Sequence, residues 1–267
     1  FLLFLVEMHE KSFKNLHFCN MSSHHIVRDD QEPALIIANG MECSESLLNQ
    51  LMEWSPFVLV LDGAIHRVLE KQIKFDAWLG DFDSSNDIDI AQIPHLQHIE
   101  KIFTPDQNKT DLQKGIEFLI KKGFPAANII WGTGKRQDHH FNNLFTLSQY
   151  HSQITLSVID NHSRVYVLPK LFKKWYPKGT KISIFPVGTA TGIHTENLAY
   201  NMTNHDLQLP FSTSSSNEVE ADGFVSITYE TGHLLMMECW DQGIKKGRCA
   251  PFFYALNLLY KWLIKLS

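Results

Sequence analysis

The chain has 267 residues, of which 44% are hydrophobic and 20% are charged, a balance typical of a folded globular protein and not of a disordered one. Its net charge of −5 excludes the strongly basic surface that nucleic-acid-binding domains use, so an anionic substrate would need a local cation or a metal. The cysteines form no CxxC pair, which argues against a zinc site and favours a reduced, cytoplasmic setting. They are Cys19, Cys43, Cys239 and Cys249.

Residues 1–33 are interpreted as an N-terminal extension that begins with the apolar run FLLFLVEMHEK. That run has no basic flank before it and no small-residue cleavage site after it, which disfavours a signal peptide.

From residue 34 to residue 153, short apolar runs alternate with amphipathic stretches. The runs ALIIANG, FVLVLDG, DAWLGDFD, HIEKIFTP and NIIWGTG are predicted strands, and helices are predicted at SESLLNQLMEW, AIHRVLEKQ, TDLQKGIEFLIKKG and DHHFNNLFTLSQYH. Continuous apolar strands separated by helices indicate a mostly parallel sheet that is covered on both faces. We therefore expect an α/β nucleotide- and metal-binding domain over residues 34–153, with its ligands beyond the carboxyl ends of the strands.

Five aspartates fall where these predicted strands and turns end: Asp62, Asp81, Asp83, Asp106 and Asp111. Like charges about 4 Å apart repel by roughly 4 kcal/mol at the effective dielectric of a protein surface. A hard cation with oxygen ligands, such as Mg²⁺, offsets that repulsion. The pattern therefore predicts metal-assisted chemistry on phosphates.

The segment LGDFDSS places Asp81 and Asp83 two residues apart. In an extended chain alternate side chains share a face, so the two carboxylates could bind one metal ion together. A solvated turn is the alternative interpretation. A glycosyltransferase DxD pair is a further alternative, but it leaves the next two motifs unexplained.

The segment TPDQNKTDLQKG precedes a predicted helix. Thr110 or Asp111 could simply be the N-cap of that helix, with Lys109 as a solvated charge. Alternatively, Asp111 is a metal ligand or a base and Lys109 reaches a phosphate. The residues leave both interpretations open.

The segment GTGKRQDHH follows a predicted strand and opens a helix. Gly132, Gly134 and the free N–H groups of the helix N-terminus make a plausible anion cradle, although the spacing is not that of a Walker A loop. Arg136 suits a bidentate grip on phosphate. Asp138 could orient Arg136 or cap the helix, and His139 could bind phosphate or be a packed polar residue.

After residue 154 the runs ITLSVIDN, SRVYVLP, TKISIFPVG, GFVSITYE and HLLMMECW are β-rich and are joined by turn residues. They predict a smaller all-β, sandwich-like domain over residues 154–240. Residues 241–267 are interpreted as a C-terminal helical tail, because FFYALNLLYKWLIKL is short for a membrane crossing. We expect this helix to pack on its own domain or on a partner, with a membrane-surface helix as the alternative.

The ordered set DGA, GDFDSS, TPDQNKTD, GTGKRQDH and SSSNE closely resembles thiamine pyrophosphokinase from about Ala34 to Trp240. This resemblance implies a Mg²⁺-dependent homodimer in which the pyrophosphoryl group of ATP is transferred to the hydroxyl of thiamine, giving thiamine diphosphate and AMP. It implies substrate sites at the subunit interface. We expect neither a nucleic acid nor a membrane as a partner. The catalytic acidic residues that it implies are Asp62, Asp81, Asp83 and Asp111, the last three of them as metal ligands.

The resemblance also implies a set of substrate- and nucleotide-binding residues. Those of the α/β domain are Gln107, Lys109, Thr110, Gly132, Gly134, Arg136, Asp138, His139 and Asn143. Ser216 and Asn217 match a serine–asparagine pair that contacts thiamine. The thiamine-stacking aromatic is left open among Phe211, Phe224, Trp240 and Tyr200.

The chain departs from the family pattern at three places. DGAIH stands where DGGAN is frequent, Asn108 stands where an Asp is common, and Lys135 replaces a frequent Gly. The second departure leaves Asp106 or Asp111 as the ligand in that loop, and we prefer Asp111. Two alternative functions remain: pyrophosphoryl transfer to another heterocyclic alcohol such as a hydroxymethylpterin, and a non-catalytic thiamine or nucleotide sensor.

Overall fold

The computed structural model of the chain describes residues 33–85 and 87–240. The predicted N-terminal extension (except Pro33) and the predicted C-terminal tail therefore lie outside the described residues. Among the helices described, none has the length and apolar content needed to cross a membrane.

The first six strands pair in parallel. They are β1 (Ala34–Ile37), β2 (Val58–Leu61), β3 (Ala77–Gly80), β4 (Glu100–Phe103), β5 (Ala126–Ile130) and β6 (Thr155–Ile159). Five of them are the strands predicted for the α/β domain, whereas the sixth falls in the run ITLSVIDN, which is predicted to begin the all-β domain. Their spatial order is β6-β5-β1-β2-β3-β4. The first three strands are buried along their whole length, because helices cover both faces of the sheet.

The helices of the described chain divide between the two faces. They are α1 (Glu45–Met52), α2 (Ile65–Glu70), α3 (Asp111–Lys121) and α4 (Gln137–Tyr150). One face packs Ile116 of α3 and Leu147 of α4 against the sheet, and the other packs Ile65 and Val68 of α2. The predicted doubly covered parallel sheet is thus confirmed.

The rest of the described chain is antiparallel. Its strands are β7 (Ser163–Val167), β8 (Leu171–Tyr176), β9 (Lys181–Pro186), β10 (Thr189–Glu196), β11 (His205–Gln208), β12 (Ser214–Glu218), β13 (Gly223–Thr228) and β14 (Leu234–Cys239). β11, β10, β13 and β8 form a four-stranded sheet in that order. A third apolar core, including Ile184, Ile193 and Ile227, lies between this sheet and β7, β9 and β14.

The strand-rich part shares a sheet with the α/β part. β6 bonds to β5 in parallel and to β7 antiparallel, so one ten-stranded sheet runs in the order β12-β9-β14-β7-β6-β5-β1-β2-β3-β4. The predicted domain boundary at residues 153 and 154 falls just before β6. The two-layer β arrangement agrees with the predicted sandwich, and one of its layers continues into the parallel sheet.

The carboxyl edge of the parallel strands positions the site. From β1 the sheet grows in two directions, with β2, β3 and β4 on one side and β5 and β6 on the other. The strand order therefore reverses between β1 and β5. Crevices at such a switch point are where open α/β sheets bind ligands. The segments that follow β1, β2, β3, β4 and β5 all emerge at this edge.

Candidate functional site

Three of the predicted aspartates form one electrostatic group at the carboxyl edge. Asp62 follows β2, Asp81 follows β3, and Asp111 is the first residue of α3. Burial raises the pKa of the half-buried Asp111; the Lys114 ammonium opposes this rise, and the negative charges of Asp62 and Asp81 add to it. The strands therefore bring together the acidic residues that the sequence could only place at separate strand ends.

Gly80 lets Asp62 lie close against the end of β3. A Cβ atom built on Gly80 would lie 2.9 Å from Asp62 Oδ1 and 3.0 Å from its Cα, closer than real side chains approach. Asp62 itself has a left-handed backbone with φ of 34°, and its carbonyl accepts a hydrogen bond of 3.0 Å from Trp78 Nε1. These contacts hold Asp62 in a strained conformation beside β3, as is common at functional sites.

Asp81 and Asp83 do not lie on an extended chain. Phe82 between them has φ of 63°, and Asp83 begins a short 3-10 turn that ends at Ser85. The expectation that strand alternation puts both carboxylates on one face is therefore wrong. Instead the Asp83 backbone N–H donates to Asp81 Oδ1 at 3.3 Å, which keeps the two residues adjacent by a turn.

The loop after β4 contacts Asp81. Gln107 Nε2 donates to Asp81 Oδ2 at 2.9 Å, and this bond is the main cause of the lowered pKa of Asp81. Asp106 instead accepts from the backbone and side-chain nitrogens of Asn108, at 2.9 and 3.0 Å. Asp106 thus shapes its own loop, whereas Gln107 ties that loop to the acidic group.

Lys114 is a site residue that the sequence reasoning missed. Its side chain is 7% exposed, and its ammonium donates to Asp111 Oδ1 at 3.2 Å and to the Thr104 carbonyl at 3.1 Å. A buried ammonium group needs an opposite charge, and here it offsets part of the repulsion among the carboxylates. Its spacing of three residues from Asp111 at a helix start could have indicated this pair.

Thr110 and Lys109 have structural partners in this chain. Thr110 is the N-cap of α3 and forms a reciprocal capping box with Gln113, as one of the two open interpretations expected. Lys109 Nζ donates to both carboxylate oxygens of Glu117 at 2.8 Å. In the described arrangement Lys109 therefore lies along α3.

The glycine-rich loop turns sharply between β5 and α4. Trp131, Gly134 and Lys135 have φ values of 54°, 72° and 54°. Asn143 on α4 is buried, and its Nδ2 donates to the Gly132 carbonyl at 2.8 Å, so this side chain fixes the loop from beneath. The loop leads directly into the N-terminus of α4, where free backbone N–H groups favour binding of an anion.

Arg136 and Asp138 form an exposed ion pair at the start of α4. The Arg136 guanidinium donates to both Asp138 oxygens, at 3.2 and 2.5 Å. The interpretation of Asp138 as the residue that orients Arg136 agrees with this contact. His139, one residue on, is exposed. Since both members of the pair are in contact with solvent, the pair itself adds little stability.

The loop after β1 also belongs to this region, and the sequence reasoning missed it. A Cβ atom on Gly40 would lie 2.4 Å from the carbonyl oxygens of Trp131 and Thr133, so only glycine lets the two loops meet. Arg67 donates to Asn39 Oδ1 at 2.8 Å and to the Gly40 carbonyl at 3.0 Å. The dipeptide Asn-Gly after a buried strand is the signal that could have found this loop.

Two cations approach the crevice between these loops. Lys135 Nζ lies 3.4 Å from the Asn39 carbonyl, and the Arg67 guanidinium lies 4.6 Å from the centroid of the Trp131 ring. Partial burial and the charge of Arg67 lower the pKa of Lys135. Lys135 and Arg67 thus lie at the β1–β5 switch point, where Glu42 pairs with Arg67 at 3.4 Å, and the acidic group follows β2 and β3 on the other side of β1.

The predicted thiamine residues lie at the other end of the sheet. Ser216 and Asn217 are in β12, whereas the acidic residues follow β2 and β3. Eight strand spacings separate β12 from β3, roughly 38 Å at about 4.8 Å each. The structure therefore does not bring these two groups together within one chain.

Asn217 is enclosed by its own chain. Its side chain accepts from Tyr200 N at 3.1 Å and from Glu218 N at 2.9 Å, and it donates to the Tyr200 carbonyl at 2.8 Å and to Ser214 Oγ at 3.3 Å. Ser216, by contrast, is exposed and has a left-handed backbone with φ of 56°. The asparagine thus orders the segment that presents Ser216 and Tyr200.

The donor chemistry of the acidic group fits Mg²⁺. Within residues 33–85 and 87–240, no three His, Cys, Asp or Glu side chains are arranged to hold a metal ion by themselves. Protein sites for Mg²⁺ commonly use one or two carboxylates together with substrate phosphates and water. A site that needs the phosphates of a nucleotide to complete it is consistent with both observations.

The doubly covered sheet, the carboxylates at its carboxyl edge and the glycine-rich loop define a kinase-type α/β enzyme. Two family models match the sequence. The model of the catalytic domain of thiamin pyrophosphokinase matches residues 48–158, and that of its vitamin B1 binding domain matches residues 170–234. Together they match about two thirds of the 267 residues, and the chain belongs to the thiamin pyrophosphokinase family.

Solved structures of similar fold agree with this assignment. Thiamine pyrophosphokinase from Bacillus subtilis is 20% identical with a TM-score of 0.65, over 78% of this chain and 99% of that one. The Candida albicans enzyme is 16% identical with a TM-score of 0.63, over 78% and 90% of the two chains. Yeast thiamin pyrophosphokinase is 16% identical with a TM-score of 0.66, over 80% and 88%. At these identities the likeness shows the fold.

Proposed function

We propose that this chain transfers the pyrophosphoryl group of ATP to the hydroxyl of thiamine, giving thiamine diphosphate and AMP, with Mg²⁺ as cofactor. The observation that carries the proposal is the grouping of Asp62, Asp81 and Asp111 at one sheet edge, in a chain that both family models match. A protein that only binds its ligands has little reason to concentrate so much negative charge.

The nucleotide belongs at the β1–β5 switch point. The N-terminus of α4 and the loop from Gly132 to Arg136 offer N–H groups and positive charge to the phosphates. Lys135 and Arg67 approach the same crevice, and an ion pair with Asp138 orients the Arg136 guanidinium. Asn143 acts through the loop, because its amide bonds to the Gly132 carbonyl.

The acidic group belongs at the transferred phosphates. Carboxylates of the set Asp81, Asp83 and Asp111 would hold Mg²⁺ together with the substrate phosphates, and the bound ion would supply charge neutralisation on the phosphate oxygens. Gln107 keeps Asp81 in place, and Lys114 limits the repulsion that Asp111 meets. Asp62 or Asp111 would orient the attacking hydroxyl and accept its proton. Because burial raises the pKa of Asp111, its carboxylate is a stronger base than an ordinary aspartate.

The acceptor site is proposed to include a second copy of the chain. Eight strand spacings along the sheet separate β12 from β3, which supports a site in which Ser216 meets the acidic group across a subunit interface. A homodimer in which each site is completed by the β12 region of the partner would have this arrangement. Asn217 would contribute by holding the Tyr200 segment in place.

The decisive experiment incubates the purified chain with ATP, thiamine and Mg²⁺ and follows thiamine diphosphate and AMP together by liquid chromatography. Equal amounts of the two products are expected, and omission of Mg²⁺ should abolish both. Release of ADP would indicate single phosphoryl transfer and contradict the proposal. A hydroxymethylpterin in place of thiamine tests the alternative acceptor, and absence of turnover with either acceptor would favour a sensor.

A further inference from the structure

An exposed aromatic ring lies beside the acidic group. Phe103, the last residue of β4, is 63% exposed, although burial of such a ring is ordinarily favourable by about 2–3 kcal/mol. Its position is fixed by the sheet: it is the register partner of Gly80, and the next residue donates from Thr104 N to the Gly80 carbonyl at 2.9 Å.

The Phe103 ring has an aromatic neighbour, Phe82. The rings of Phe103 and Phe82 are nearly parallel, with centroids 6.2 Å apart and an interplanar angle of 28°. Phe82 is itself buried against Trp78, with centroids 4.4 Å apart. Lys101 Nζ lies 4.4 Å from the Phe82 centroid, so the Lys101 ammonium covers the Phe82 ring. Phe103 is therefore the outward, accessible end of a row of three rings.

The ring faces the same side of the sheet as Asp62. Register partners on neighbouring parallel strands point to the same face, and a Cβ atom on Gly80 would point at Asp62 Oδ1. Phe103 and Asp62 thus lie on either side of Gly80. Two strand spacings separate their backbones, about 10 Å.

The reaction geometry assigns this side to the acceptor. The glycine-rich loop follows β5, and four strand spacings separate β5 from β4. In phosphoryl-type transfer the attacking and leaving oxygens lie roughly in line on opposite sides of the phosphorus. If the AMP group leaves toward β5, the hydroxyl must arrive from the side of β4, where Phe103 lies.

We propose that Phe103 is the stacking platform for the flat heteroaromatic ring of the acceptor, and that it directs the acceptor hydroxyl toward Asp62. This inference rests on the proposed function and deepens it. A cationic ring such as that of thiamine suits the exposed π-face of Phe103. Adenine would find no such advantage, since it carries no charge.

Replacement of Phe103 by Ala tests the platform. The KM for thiamine and the Kd for thiamine, measured by equilibrium dialysis, should both rise about 2- to 10-fold, the range expected for loss of one ring stack. The KM for ATP and the urea midpoint should be unchanged, because the ring is exposed. Phe103→Tyr should keep wild-type values, because it retains the π-face.

Phe145→Ala is the matched control, since Phe145 is a partly exposed ring on α4 away from the acidic group. It should leave the KM for thiamine unchanged. An unchanged thiamine Kd in Phe103→Ala, or a rise in the KM for ATP instead, would overturn the assignment. A change in molecular mass in light scattering with unchanged thiamine Kd would also overturn it, and would indicate that a second copy covers the ring.

The dialysis measurement separates this inference from the proposed function. If the wild-type chain binds thiamine but forms no AMP, the proposed function fails, and the effect of Phe103→Ala on the Kd still decides the platform. If the wild-type chain does not bind thiamine, both fail.

Discussion

Replacement of Gly80 by Ala should damage the site through a single methyl group. The added Cβ would lie 2.9 Å from Asp62 Oδ1 and 3.0 Å from Asp62 Cα and Cβ. Ordinary contacts of a Cβ atom begin near 3.4 Å, so Asp62 must move by about 0.5 Å. Two of the three contacts are with Cα and Cβ, so rotation of the side chain does not relieve the clash.

The expected cost has two parts. Overpacking at a buried position destabilises by about 1–3 kcal/mol. Displacement of Asp62 should lower turnover on the order of 10-fold, because a misplacement of about 1 Å can cost about 100-fold. The loss should appear in kcat more than in the KM for ATP, since the nucleotide loop lies on the other side of β1.

Urea unfolding and AMP release measure the two parts separately. The matched control is Gly123→Ala, whose Cβ would project into open space among the described residues but whose φ of 85° is unfavourable for alanine. It should lose about 1 kcal/mol of stability and keep wild-type turnover. Wild-type stability together with wild-type turnover in Gly80→Ala would refute the argument that Asp62 depends on this close approach.

Three further predictions concern the acidic group, the glycine-rich loop and a buried ion pair of the strand-rich part. Asp81→Asn should abolish AMP release while leaving the urea midpoint close to that of wild type; near-normal activity would refute the metal assignment. Asn143→Ala leaves the Gly132 carbonyl without its buried donor, which should cost about 1–3 kcal/mol and raise the KM for ATP. The exposed neighbour Asn142→Ala is its control and should change neither. Glu238 of β14 is largely buried in the strand-rich part, and its Oε1 accepts from Lys174 Nζ of β8 at 2.6 Å. Burial opposes ionisation of Glu238, but the charges of Lys174 and Arg164 and the hydrogen bonds from Lys174 and Tyr176 together outweigh it, and the pKa of Glu238 is lowered. Glu238→Gln should therefore destabilise by about 3–5 kcal/mol at pH 7.

The lowered pKa of Glu238 makes its contribution to the free energy of unfolding depend on pH. Because its folded pKa lies below the ordinary value of 4.5, its contribution is present above that value and is lost as the pH falls through the folded pKa. The difference between wild type and Glu238→Gln should therefore shrink below about pH 4. A constant difference in the free energy of unfolding between pH 7 and pH 3 would contradict the reasoning.

Local chemistry explains the parts of the fold that the sequence predicted. The runs ALII, VLVL and AWLG are apolar at every position, which suits strands covered on both faces. Thr110 and Gln113 stand at the spacing of a capping box, so the start of α3 is readable without a structure. The predicted strands missed β8, β10, β11 and β12, whose exposed charged and polar residues weaken the apolar pattern.

The amino-acid sequence alone determined which segments are strands and helices and that acidic residues and a glycine-rich loop follow strand ends. Those features depend on neighbours within a few residues. The tertiary structure decided that Lys114 supports Asp111, that Gly40 meets Trp131, and that Phe103 flanks Gly80 opposite Asp62. It also decided that β12 lies far from β3 in one continuous sheet. These relations depend on which strands pair, and strand order follows from burial of the whole apolar surface, which no local pattern records.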